Sequence, residues 1–456
     1  MIPLALGQMR RRPAAFAGLA VALLLAIATL TLFGLLFAAD STTPAAARKA
    51  ADGPGLMVIA GAFGEIAVLV AFFVVVNALG FAVRQQHREL ALLRTIAATP
   101  RQARRLIRGQ AVATALVVAA PGWAVGVLSA RGLLAELQRR GMAAPGVQVP
   151  GTPLPLLVAL AVALAVGLAA SAVAARRISR IAPASALTAS ATEQGRTGAP
   201  RLLAAAGALT GGALLLRLAA TRPAGEVDKA AQAALLGSLV LLVAVALAGP
   251  FAARVLAAAL GTPVRVLAPG AGWLADANLR GYARRLSSAV VPVALLVGLS
   301  GTMLVMTSTA EHAAGAAASG ATSATDVWLR QAELAMLTCF AAVSTVNTLV
   351  AVTAERRREF ALLRLVGATR PQLLRMLTAE AALTTVVGVL LGAAVAGAAS
   401  AAFSTAVNGS PMPTVPVAGC WWIAAGATAL TVPAVLATGL RAVRGPAAVP
   451  AAGSRG

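Results

Sequence analysis

Arg88-Glu-Leu-Ala-Leu-Leu-Arg94-Thr-Ile-Ala-Ala-Thr99-Pro-Arg-Gln102 and Arg358-Glu-Phe-Ala-Leu-Leu-Arg364-Leu-Val-Gly-Ala-Thr369-Arg-Pro-Gln372 are one segment written twice. At an offset of 270 residues, 9 of the 15 positions are identical. Each copy directly follows a long apolar run and directly precedes another. Internal repeats are read first because each copy marks one structural unit. A charged, amphipathic element held between two apolar runs, and present twice, implies two membrane-embedded units that together dock a pair of soluble partners.

The composition points the same way. The chain has 456 residues, of which 59% are hydrophobic and 12% charged, where soluble domains carry about 25% charged residues. Mean hydropathy is +0.84. Runs of 18 or more apolar residues are the mark of transmembrane helices. Ten such runs are predicted, at 14–39, 56–82, 110–134, 153–175, 202–220, 232–260, 286–309, 328–354, 379–405 and 417–440. The first is too long for the apolar core of a signal peptide and is read as an uncleaved span.

The net charge of +23 is not distributed as a nucleic-acid surface would be. The arginines fall in alternate gaps between apolar runs: seven from Arg84 to Arg108, five from Arg176 to Arg201, four from Arg265 to Arg285 and six from Arg356 to Arg375. The intervening gaps hold only Arg48 and Lys49, Arg139 and Arg140, or Arg222 and Lys229, and none between Glu311 and Asp326. That alternation is the positive-inside pattern and predicts both termini in the cytoplasm. One tyrosine in the whole chain also reads against a base-stacking platform.

The expected fold is therefore an all-α integral membrane protein of about ten spans, in two parallel four-helix repeats. Residues 1–187 form the first unit, 188–270 the connecting spans five and six, and 271–456 the second unit. An even number of spans separates equivalent points, so the units share an orientation and are expected to be related by a pseudo-twofold axis along the membrane normal. Further matches at the same offset support the repeat: Asn77 with Asn347, and Gln110 with Glu380. Arg11-Arg12 before the first span likewise resembles Arg284-Arg285 before the seventh. The predicted outer gaps are short and rich in small residues, which leaves no room there for a folded domain.

Within the second copy, Phe360, Leu363 and Gly367 recur at helical spacing, with Leu362, Leu365 and Val366 as a second apolar row. Arg356, Arg357, Arg358, Glu359 and Arg364 fall on other faces. Ala-Thr99-Pro and Ala-Thr369-Arg-Pro then read as a break followed by a new helix. A threonine caps, and a proline fits the first turn, where no amide donor is needed. A bare topological hairpin accounts for the arginines but not for the matched glutamate, Ala-Leu-Leu and Ala-Thr.

The pattern Arg-Glu-[Leu/Phe]-Ala-Leu-Leu-Arg-x-[Ile/Val]-[Ala/Gly]-Ala-Thr after a long span resembles the FtsX-like permease family, the MacB-type class of ABC transporter membrane subunits. The resemblance is specific over about 77–112 and 347–381 and rests on span order elsewhere. It implies that Arg88, Glu89, Arg94, Thr99, Arg358, Glu359, Arg364 and Thr369 lie at the interface with an ATPase. Family members often carry a large extracellular domain after the first span of a unit, and this chain has none. A P-loop needs Gly-x-x-x-x-Gly-Lys-[Ser/Thr], and the only lysines, Lys49 and Lys229, are each followed by alanine. The nucleotide site, with its ATP and magnesium, is therefore expected in two copies of a separate cytoplasmic ATPase chain. This chain itself is expected to bind no cofactor and to be no enzyme. The implied setting is a bacterial-type plasma membrane, and the implied activity is export of a hydrophobic or amphipathic compound such as a lipid, peptide or antibiotic.

A second reading is a non-transporting relay of force or signal, with a sensor kinase or accessory protein as the further partner. The short outer loops count against it. An ion-driven transporter needs paired intramembrane acids, and only Glu65 is a candidate. Glu65 is read either as an intramembrane acid or as a residue of the outer interface. Asn77 and Asn347 are candidates for hydrogen bonding between the units. His87 and His312 are far apart, and Cys339 and Cys420 lack metal-ligand spacing.

Overall fold

The computed structural model describes residues 13–44, 55–85, 100–179, 199–267, 283–317, 324–355 and 357–444, and most of their side chains. Eleven α-helices occur among them: α1 Pro13–Thr42, α2 Leu56–Gln85, α3 Pro100–Arg139, α4 Leu154–Ser179, α5 Ala199–Ala220, α6 Val227–Leu267, α7 Ala283–Ala317, α8 Ala324–Glu355, α9 Arg357–Leu365, α10 Arg370–Asn408 and α11 Val417–Arg444. No strand occurs among the described residues. Seven helices (α1, α3, α5, α6, α7, α10 and α11) are long and apolar enough to cross a bilayer. The apolar stretches described in α2, α4 and α8 are shorter, at Leu56–Glu65, Leu154–Ala169 and Ala341–Val350. The protein is an all-α, multi-pass membrane protein. With no water in the hydrocarbon layer, a helix satisfies every backbone group within itself, which is why apolar runs of this length become helices.

The chain divides into two compact units, one of residues 1–191 with 324–329 and one of 192–323 with 330–456. Helices α5 and α6, which connect the repeats in sequence, thus fold with the second.

In the first unit, α1 packs on α2, α3 and α4. The rings of Phe33 and Phe63 meet at 6.0 Å between centroids. The crossing of α1 and α3 is close because α3 offers glycine there. A Cβ on Gly122 would lie 3.1 Å from Ile27 Cβ and 3.3 Å from the Leu24 carbonyl oxygen. One on Gly126 would lie 2.7 Å from the Ala28 carbonyl oxygen. Gly141, with φ 75°, ends α3, and Gln138 Nε2 donates to the carbonyls of Ala144 (3.0 Å) and Val147 (2.8 Å), folding the next loop back.

In the second unit, α7 is the central element, packed by α6, α10 and α11. Its run Ala289–Leu299 is apolar all round apart from Gly298 and is buried all round, as such a helix should be. The α7–α10 crossing repeats the α1–α3 crossing at the 270-residue offset. Gly392, the counterpart of Gly122, would place a Cβ 2.8 Å from Val297 Cβ and 2.8 Å from the Ala294 carbonyl oxygen. Those are the counterparts of Ile27 and Leu24. Small residues at such crossings let backbones approach, and dispersion between them replaces the hydrophobic drive that lipid removes.

Candidate coupling site

The second motif copy is built on α8, α9 and α10. Helix α8 is described to Glu355 and α9 over Arg357–Leu365, and Arg356 between them lies outside the described residues. At the end of α9, Gly367 takes φ 98°. Its N–H donates to the Arg364 carbonyl at 3.1 Å, and the Ala368 N–H donates to the Leu363 carbonyl at 2.9 Å. This is the paired closure of a helix C-terminus that needs a left-handed residue, which glycine adopts without cost. Thr369 then opens α10 from an extended conformation, and its N–H donates to Gln372 Oε1 at 2.9 Å, one arm of a capping box. Pro371 sits in the first turn, as expected. Pro100 is the first described residue of α3, and the turn before it lies outside the described residues.

The two apolar rows of α9 have opposite fates. Phe360 is fully buried against Leu349 of α8, Leu373, Met376, Leu377 and Ala381 of α10, and Val435 of α11, with Leu363 partly buried beside it. Leu362, Leu365 and Val366 face outward, 55%, 65% and 88% exposed. The first row anchors α9 to the helix bundle. The second leaves an apolar patch on the free side of α9 and its turn, flanked by the half-buried Glu359 and Arg364 and the exposed Thr369. Periodicity alone groups both rows as apolar and cannot say which one the bundle covers.

Below the turn, Glu380 is buried, and the Thr384 hydroxyl donates to its carbonyl at 2.7 Å. Gln110, its counterpart, is buried too, with Thr114 making the same 2.7 Å bond. The start of α10 therefore repeats the start of α3 in burial and bonding, with a carboxylate in one and a carboxamide in the other.

The remaining sequence candidates are dispersed. Arg88, Glu89, Arg94 and Thr99 lie outside the described residues, as do the side chains of Arg358 and Asn77. Asn347 is half-buried on α8, and Glu65 lies on an exposed face of α2, ten residues into the helix. Gln372, which closes the start of α10, was not among the candidates. Its signal was present in the sequence, as a glutamine three residues after a threonine.

A protein-family model described as FtsX-like permease C-terminal matches residues 61–183 and 333–447, together just over half of the chain. Each match contains one copy of the motif, with the span before it and the two after it. A search among curated proteins finds no match.

Proposed function

The chain belongs to the FtsX-like permease family, whose members are generally membrane components of ABC transporters, and on that premise we propose that it is the permease of an ABC exporter. Two copies of a cytoplasmic ATPase dock on its two motif segments. They bind ATP and magnesium and perform the hydrolysis, and this chain converts their closure into movement of its helices. The permease has ten spans in the form of two fused four-span units, MacB-type in its motif, with both termini in the cytoplasm of a bacterial-type cell.

The observation that carries this reading is the outward apolar row of α9. A helix anchored by Phe360 on one face and offering Leu362, Leu365 and Val366 on the other is suited to a protein partner. Exposed apolar side chains gathered beside charges mark interaction surfaces rather than solvated ones. The twofold family match supports two such surfaces. Rigid crossings at Gly122 and Gly392 carry a displacement of either motif along α3 or α10 into the helices packed on it. Spans without an attached folded domain favour a substrate drawn from the bilayer, hydrophobic or amphipathic.

Co-purification with the candidate ATPase tests this. Wild type should hold the ATPase and stimulate its hydrolysis, whereas Glu89→Arg with Glu359→Arg should lose both. An ATPase that never binds, or that binds irrespective of the two glutamates, would falsify the reading.

A further inference from the structure

The connection between the repeats contains a device that the permease reading does not use. Helix α6 runs unbroken through Pro250. A proline in a helix has no N–H, so the carbonyl four residues earlier loses its donor. Here that orphan is the Ala246 oxygen, with Leu247 next to it. In hydrocarbon, water does not reach such groups, and another part of the protein has to satisfy them.

It does so from 45 residues away. Arg201 of α5 donates from Nη2 to the Ala246 oxygen at 3.1 Å and from Nε to the Leu247 oxygen at 2.8 Å. One edge of the guanidinium presents two parallel donors at a fixed spacing. That edge reaches two successive carbonyls, of which the Ala246 oxygen is the one that Pro250 leaves without its helical donor.

We propose that Arg201 is a latch on a proline hinge in α6, fixing the direction in which the segment 250–267 leaves the break. The segment before the break is itself fixed. Leu242 seats over Gly298, where a Cβ would meet Leu242 Cδ2 at 3.0 Å and Gly392 Cα at 3.6 Å, the centre of the α7–α10 crossing. Leu216 of α5 closes on Gly237 of α6 in the same way, at 2.6 Å. Bending is thereby confined to Gly249–Pro250, between a clamped half and the half that leads into α7. The latch decides whether the connector is a stiff rod or a joint. This holds whether or not the chain is an exporter.

The test is a double-mutant cycle on the full chain in nanodiscs, with Cys339 and Cys420 replaced by serine. Spin labels are placed at the exposed positions Leu209 and Val255. The latched protein should give a single narrow distance distribution, and Arg201→Gln should lose it to a broad one. Pro250→Ala supplies the missing N–H to Ala246, so Pro250→Ala and the double variant should both be narrow. If Arg201→Gln expresses poorly, the thermal midpoint serves instead, and Pro250→Ala should restore it. A narrow distribution in Arg201→Gln overturns the proposal. So does a double variant as broad, or as unstable, as Arg201→Gln alone, because Arg201 would then act on something other than the proline gap.

Discussion

Replacing Phe360 with alanine should undock the coupling helix while leaving the membrane bundle standing. Phe360 is fully buried among side chains of three other helices, and a buried Phe→Ala change costs about 3–5 kcal/mol. At about 1.4 kcal/mol per tenfold, the docked-to-undocked equilibrium should fall by about a hundredfold or more. The spans fold on other contacts, so membrane insertion should be unchanged. Hydrogen exchange of the amides of 357–365 should accelerate in F360A, and ATPase co-purification should be lost with it. Leu365→Ser is the complementary variant. Leu365 is 65% exposed, and exposed substitutions usually move stability by no more than about 0.5 kcal/mol, so its exchange should match wild type while ATPase binding still falls. Unchanged exchange in F360A would refute the anchor. ATPase binding that survives in both variants would refute the division of α9 into an anchoring face and a docking face.

Other consequences concern the crossings and the loop between α5 and α6. Gly392→Ala should lower the thermal midpoint in detergent, at a cost of about 1–3 kcal/mol, because the new methyl meets backbone atoms of α7 at 2.8 and 2.9 Å. Gly397→Ala, on the same helix with nothing within 4 Å, should be neutral, and equal melting of the two would sink the argument. In the loop between α5 and α6, a hydrogen bond from Lys229 at 2.8 Å, with the charges of Lys229 and Arg222, holds the Glu226 carboxyl below its ordinary value. A carboxylate depressed on folding adds stability above its unfolded pKa and loses that stability as pH falls through the folded one. The advantage of wild type over Glu226→Gln should therefore be small, since the side chain keeps 34% of its surface in solvent, present near neutrality, and gone in acid. A difference that stays constant with pH would contradict the assignment.

The helices and their order were legible because the bilayer leaves a chain few choices. A long apolar run that cannot hydrogen-bond to lipid becomes a helix, whatever its neighbours are, and the ten predicted runs each fall on a described helix. The nine identities were legible in the sequence, whereas the crossings of α1 with α3 and of α7 with α10 join residues that share little sequence. Ile27 and Val297 meet Gly122 and Gly392 because the crossing asks only for a small residue opposite a branched one. The Ala-Thr turn was legible as well, since helix caps are local chemistry.

What the sequence determined by itself is whatever depends on one segment and its solvent: apolar runs, alternating charge, the turn, the repeat and the absence of a P-loop lysine. The tertiary structure alone decided which apolar row of α9 is anchor and which is free, because Phe360 and Leu362 are equally hydrophobic until α8, α10 and α11 cover one of them. It also decided that α5 and α6 fold with the second unit, and that Arg201, read in sequence as one more positive-inside arginine, fills the gap left by a proline 49 residues further on. Both are contacts between segments remote in the chain, and no local pattern of residues encodes which remote surface a side chain will meet.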